Sequence, residues 1–300
     1  MKKTIIASAI AAVVAAPAAF ADVKISGQIT AEYKDASGAD SDLVEATDIV
    51  ISGSEDLGNG MKVSFKMAGS PDMMTAGQST AAGAIGEDDR FVSLSGDFGT
   101  VQFGRYEQLV SAKGSDIANS LASSEVISIE EKTGLGQRGN KGVRYTSPNF
   151  NGVTVAAGGF MDGFDGDTGA DDFDVTEMMV SYSNAGLTVS FTSENNDVDS
   201  LDTDVIGVKY TMGDITVALT DLDSSTAAND ATIVGAKYTM GSNSIAAAYV
   251  ASHGTAANEG DFILKATHSM SKSTSVWVGM ESDDSATTND FVSVGVKHAF

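Results

Sequence analysis

The sequence predicts an all-β fold, a transmembrane antiparallel β-barrel of about sixteen strands, and three observations point to it. Apolar and polar residues alternate with period two in one segment after another. About sixteen such segments run roughly nine to eleven residues, the length a tilted strand needs to cross a bilayer. The connections alternate between short turns and long acidic loops, which gives a barrel one rim of each kind. Alternation alone also suits a soluble sandwich; strand length and loop alternation favour the barrel.

Taken in order, residues 1–21 read as a signal peptide that is removed. Lys2 and Lys3 precede an apolar run over 4–16, and Ala19-Phe20-Ala21 forms a small-x-small cleavage site before Asp22. The run is too short to span a bilayer as a helix. Residues 22–300 then form one domain, with strands expected at 22–34, 44–53, 61–69, 88–96, 99–105, 140–147, 152–161 and 175–184. The second half supplies 186–194, 203–211, 213–221, 231–240, 243–252, 260–270, 273–281 and 290–300.

The first strand sets Val23, Ile25, Ile29, Ala31 and Tyr33 against Lys24, Ser26, Gln28, Thr30 and Glu32. The third sets Met61, Val63, Phe65 and Met67 against Lys62, Ser64 and Lys66. Short turns carry glycine or asparagine, as in Leu57-Gly58-Asn59-Gly60 and Asn184-Ala185-Gly186, where tight hairpins need positive φ. Pro71 and Pro148 fall outside the strands, as a residue without an N–H should. Trp277 and Phe291 land on polar faces by strict alternation; a bulge that shifted the register would account for them. Residues 106–138 form a connection far longer than the rest. Ile117, Leu121, Val126, Ile127, Ile129 and Leu135 give it enough apolar content to fold against something.

Removing residues 1–21 leaves 279 residues with 16 basic and 41 acidic side chains, a net charge of −25. Such a balance argues against nucleic acid as a partner. No cysteine is present, so disulfides and thiolate metal sites are excluded. Acidic groups such as Asp162, Asp165, Asp167, Asp171, Asp172 and Asp174 have the composition of calcium loops without the ligand order of one. They read as solvated loops that attract cations to the mouth, with divalent ions bridging them to anionic lipid headgroups. His253, His268 and His298 sit in no serine or metal motif and no phosphate loop appears, so an enzyme is not expected.

A repeat runs through the second half: Gly207-Val208-Lys209-Tyr210-Thr211-Met212-Gly213 and Gly235-Ala236-Lys237-Tyr238-Thr239-Met240-Gly241, echoed at Gly142-Val143-Arg144-Tyr145-Thr146 and Gly295-Val296-Lys297-His298. An aromatic beside a lysine near a short turn fits a ring at the lipid–water interface and a charge turned to the lumen. Together with Gly53-Ser54-Glu55-Asp56-Leu57-Gly58-Asn59-Gly60, Gly96-Asp97-Phe98-Gly99-Thr100-Val101-Gln102-Phe103-Gly104-Arg105, Arg144-Tyr145-Thr146-Ser147-Pro148-Asn149-Phe150-Asn151-Gly152 and the terminal Phe300, the whole mature chain resembles the Gram-negative general porins.

That resemblance implies a homotrimer of sixteen-stranded barrels in the outer membrane of a Gram-negative cell, passing ions and small polar solutes without a cofactor. It implies that Phe300 is read by the barrel-assembly machinery, that lipopolysaccharide surrounds the barrel, and that the third loop, 106–138, folds inward to narrow the pore. Arg105 and Arg144 would then line the constriction opposite Glu125, Glu130, Glu131 and Asp116, with an ordinary rim salt bridge as the alternative for the arginines. The loop lacks the family's Pro-Glu-Phe-Gly stretch, and residues 47–53 lack the arginine often found there. Lys24, Lys62 and Lys66 fall on polar strand faces and read as pore wall. The acid surplus leads to an expected mild cation preference. The other function in view is a structural or adhesive barrel with a closed lumen and acidic binding loops. Inward positions read as mostly serine, threonine, glycine, glutamine and lysine, which favours an open, wet lumen.

Overall fold

The computed structural model describes residues 22–37, 40–71, 85–113, 120, 138–162, 173–197, 202–225, 230–252, 260–283 and 290–300. The signal peptide, His253, Asp116, Glu125, Glu130, Glu131, the apolar residues named in the third loop, and Asp165, Asp167, Asp171 and Asp172 lie outside them. The described residues form sixteen strands that close into one antiparallel barrel, each pairing with its sequence neighbours and the last with the first. They are β1 (Asp22–Ala36), β2 (Asp42–Gly58), β3 (Met61–Gly69), β4 (Arg90–Gly96), β5 (Gly99–Glu107), β6 (Arg138–Thr146), β7 (Val153–Asp162) and β8 (Val175–Asn184). The circle continues with β9 (Leu187–Asn196), β10 (Thr203–Met212), β11 (Ile215–Ser224), β12 (Ala231–Met240), β13 (Asn243–Ser252), β14 (Gly260–Ser269), β15 (Thr274–Asp283) and β16 (Phe291–Ala299). Closure leaves no strand edge, so the ladder bonds are satisfied within the wall, which a bilayer demands.

The alternation settles which face is outside. Val23, Ile25, Ile29 and Tyr33 of β1 are exposed, while Thr30 and Glu32 are buried. The same inversion recurs at Met178 and Val180 of β8 and at Val292, Val294 and Val296 of β16. An apolar exterior over a more polar interior is the reverse of a soluble core and suits contact with lipid. Tyr145, Tyr210 and Tyr238 point outward beside the short-turn rim, and their neighbours Arg144, Lys209 and Lys237 point inward. At that rim Asn59 and Gly60 have φ of 52° and 75°, and Ala185 and Gly186 have φ of 48° and 85°. Two successive positive φ values match the right-handed twist of the strands they join.

Trp277 and Phe291 face the lumen, and β15 pairs with β16 without a shift of register, so no bulge is needed. The indole N–H of Trp277 donates to Glu32 Oε1 at 3.0 Å, and Lys265 Nζ lies 4.7 Å from its ring centroid. Gly295 stands directly across from both Trp277 and Glu32, and a Cβ there would collide with the indole. One side chain thus crosses β16 and ties β15 to β1 at the seam between the chain's two ends. Phe291 lies under Lys34 Nζ, 4.0 Å from the ring centroid.

The interior is also less uniformly polar than composition implies. Ala218, Ile233, Ala246, Ala248, Val250, Ile263 and Phe291 form a buried inward patch across β11 to β16. Period-two counting hides this patch because runs such as Ile245-Ala246-Ala247-Ala248-Tyr249-Val250 and Phe262-Ile263-Leu264 are apolar on both faces, so alternation there does not mark which face is inward.

Candidate pore site

Three inward strands build the root of the third connection. Arg144 on β6 stands across from Gln102 of β5, so its side chain enters the lumen. Its Nε donates to Glu177 Oε1 at 2.6 Å and its Nη2 to Glu177 Oε2 at 3.0 Å, a two-point grip of a guanidinium on a carboxylate. Nη2 also donates to the carbonyl of Glu107 at 2.7 Å, and the guanidinium lies 4.4 Å from the Tyr106 ring centroid. The Arg144 side chain is 11% exposed and that of Glu177 0%.

Glu177 also receives the N–H of Leu109 at 2.8 Å, at the first residue of the helical turn 109–113. A carboxylate at the start of a turn satisfies an otherwise orphan donor and suits the positive end of its dipole. From that anchor Leu109 packs on Ala156 and Met179, and Val110 on Val205 and Leu222. Farther along, the carbonyl of Ser120 accepts from Lys237 Nζ of β12 at 3.5 Å. The described part of the third connection therefore runs inward from β5 and touches the wall on β12. Arg144 holds its root from within the lumen and is no rim pair.

Arg105 is placed differently from Arg144. On β5 it follows Val101 and Phe103, and Phe103 is an exposed outward residue; its partner across the ladder is Arg90, next to the outward Val92. Its Nε donates to the Glu87 carbonyl at 2.6 Å, and its Nη1 to Asn140 Oδ1 at 2.9 Å and the Arg138 carbonyl at 3.3 Å. The register between β5 and β6 shifts between Gly104 and Tyr106, and Tyr106 turns inward against Phe91 and Phe160. The structure does not bring Arg105 and Arg144 to one waist; they stand on opposite faces of the wall.

Lys66 reaches Asp89 Oδ2 at 2.6 Å inside the barrel, and Arg138 Nε comes within 3.6 Å of Asp89 Oδ1. Lys24 and Lys62 share the inward face of their strands, across from Ser52 and Ser95. Lys34, Lys265 and Lys237 lie in one row of paired residues that runs through Ser293, Gly279 and Ala246. Phe300, exposed beyond β16, exchanges two main-chain hydrogen bonds with Gly27, each 3.0 Å. Among the described residues no cluster of histidine, aspartate and glutamate has the arrangement of a metal site.

Glu177, Asp89, Tyr106 and Arg138 are the lumen residues that sequence patterning passes over. A signal existed for Glu177: it is the one carboxylate on an inward face otherwise made of Val175, Met179, Ser181 and Ser183.

A family model described as Gram-negative porin matches residues 7–288. The major outer membrane protein P.IB of Neisseria lactamica is 29% identical over 170 residues, covering 51% of this chain and 48% of that protein. Its counterpart from Neisseria gonorrhoeae is 30% identical over 169 residues, covering 51% and 47%. The chain thus spans about half the length of the curated relatives it matches. Among solved structures, Salmonella typhi OmpF, in complex with daunomycin, superposes with a TM-score of 0.76 at 16% identity, covering 93% of this chain and 97% of that one. An anion-selective porin from Comamonas acidovorans superposes with a TM-score of 0.67 at 22% identity, covering 94% and 100%. At these identities the superpositions speak to the fold.

Proposed function

The chain belongs to the Gram-negative porin family, a family of outer-membrane channels rather than enzymes, and from that premise we propose that it passes ions and small hydrophilic solutes by passive diffusion. The observation that carries this is the third connection, pinned at its root by Arg144 and Glu177 and touching the far wall at Lys237. A loop held across a lumen makes a narrow waist, and a waist selects solutes by size. The protein acts as a homotrimer, reaches the outer membrane by a cleaved signal peptide and the barrel-assembly machinery reading Phe300, and sits among lipopolysaccharide. No cofactor takes part, and divalent cations bridge the acidic loops to lipid.

We further propose a mild cation preference. The acid surplus lies largely in the long loops and raises cations at the mouth, while inward lysines such as Lys34, Lys237 and Lys265 oppose that field along the wall. Glu125, Glu130, Glu131 and Asp116 supply the acidic side of the waist, and Arg144 holds the root of the loop that carries them. Arg105, from the outer wall, takes no part in it. A second function, a structural or adhesive barrel with a closed lumen, draws on the inward apolar patch of β11 to β16.

Planar-bilayer recording of the purified mature protein separates the two. Conductance that closes in thirds, with a zero-current potential of cationic sign in a salt gradient, supports the diffusion pore. Folded, inserted protein without conductance supports the closed barrel, and an anionic sign removes the cation preference.

A further inference from the structure

We propose that the pore is a current rectifier: ions pass more readily when the long-loop end of the barrel is positive than when the short-turn end is. This inference rests on the diffusion pore above and adds a direction to it.

The charges sort along the barrel axis as well as across the wall. Each strand has a half toward the short turns and a half toward the long loops. Of the 41 acidic side chains, only Asp22, Glu55, Asp56, Asp97 and Asp214 belong to the turn end, on strand halves or in the turns themselves. Eight of the 16 basic side chains that follow residue 21 belong there too, seven of them on strands and Lys272 in the turn between β14 and β15. Eight cations against five anions make +3 at the turn end, and the other eight against 36 make −28 at the loop end. The sign of the fixed charge therefore reverses between the two mouths.

The lumen itself carries the reversal. Lys24, Lys62, Lys209, Lys237, Lys265 and Lys297 face inward from the turn-end halves of their strands. Glu32, Asp48, Asp261 and Glu281 face inward from the loop-end halves. Lys34, Lys66 and Arg138 run against this order, but Lys66 and Arg138 flank Asp89 and Lys34 stands across the ladder from Asp42. Arg144, the remaining strand cation of the turn end, is neutralised by Glu177.

Cations crowd the acidic half of such a pore and anions the basic half. A field with the loop end positive drives both toward the boundary between the halves and fills it with carriers. The opposite field draws both away from that boundary, and the current falls. At about 0.1 M salt a fixed charge acts over about 10 Å, the width of two strand spacings, and at about 1 M over only about 3 Å. Rectification is accordingly a low-salt property.

The test records single channels of the mature protein in a planar bilayer of neutral lipid and compares instantaneous currents at equal and opposite voltages. Direction of insertion is read from Ser242→Cys, in the exposed turn between β12 and β13 of a chain with no cysteine of its own. A polyethylene-glycol maleimide in one compartment lowers the current when the turn end faces it. At about 0.1 M potassium chloride the channel should pass about twofold more current with the loop end positive, and at about 1 M the ratio should approach one. Lys24→Glu/Lys62→Glu/Lys209→Glu turns +3 at the turn end into −3 and should abolish the ratio, while arginine at the same three positions should keep it. A ratio of one at low salt, a larger current with the turn end positive, or an asymmetry undiminished at high salt overturns the proposal. So does a glutamate variant that rectifies like wild type; should that variant not fold, the salt dependence of wild type decides. Channels with equal currents at both signs remove the rectifier and keep the pore, whereas folded, inserted barrels without conductance remove the diffusion pore as well.

Discussion

Replacing Glu177 by glutamine should loosen the third loop without emptying the lumen of mass. The carboxylate is fully buried and takes three hydrogen bonds, from Arg144 Nε, Arg144 Nη2 and the Leu109 N–H. Glutamine keeps the volume, yet its amide nitrogen faces a donor wherever its oxygen satisfies one. Removing one partner of a buried pair costs about 3–5 kcal/mol. The carbonyl of Glu107 still accepts from Arg144 Nη2 in the variant, so the lower end, about 3 kcal/mol, applies. That shifts the equilibrium between held and released loop roughly a hundredfold. Single-channel recording should show flicker between two open levels and greater open-state noise in Glu177→Gln than in wild type. Glu177→Asp, which keeps the charge but shortens the reach, should lie between them. Steps of unchanged size and noise in a glutamine variant that keeps its heat-modifiable gel migration would refute the clamp.

The chain has one tryptophan, so its fluorescence reports on Trp277 alone; at 6% exposure it should resist a water-soluble quencher, and strong quenching in folded barrels would contradict the seam. Gly295→Val should displace the indole and destabilise the fold by about 1–3 kcal/mol, read as a lower temperature for loss of the compact gel band. With no native cysteine in the background, Lys237→Cys should react with a membrane-impermeant thiol reagent in proteoliposomes and Tyr238→Cys should not, because neighbouring residues face opposite solvents. Arg105→Ala should leave zero-current potentials unchanged, and a shift as large as that of Arg144→Ala would put Arg105 back in the waist.

Strand alternation made most of the barrel legible. Residues 61–69, 175–184, 231–240 and 243–252 form strands with the limits that the pattern gives. β2 runs past both ends of its expected span, and β11 past its far end, because ladder pairing continues beyond the apolar band into polar residues such as Asp42, Glu55 and Asp223, where alternation of hydropathy is no longer visible. Trp277 shows parity winning over residue type: a large aromatic turned to the lumen is stable there because Glu32 and Lys265 receive it. Arg105 shows parity winning over resemblance, since counting by two from Val101 and Phe103 already places it outside. Glu177 needed the closed sheet, because only three-dimensional closeness puts a β8 carboxylate under the start of the loop that follows β5.

The bridge from Trp277 over Gly295 to Glu32 also bears on the order in which the barrel is made. Glu32 lies 245 positions before its partner, so the first strand to be exported has one neighbour, β2, until the last hairpin arrives. During that interval β1 carries an open edge and a lumen-facing carboxylate without its indole, and an open edge invites pairing with another chain. Waiting is thus built into the topology, and the step that ends it is the insertion of a single indole across a single glycine.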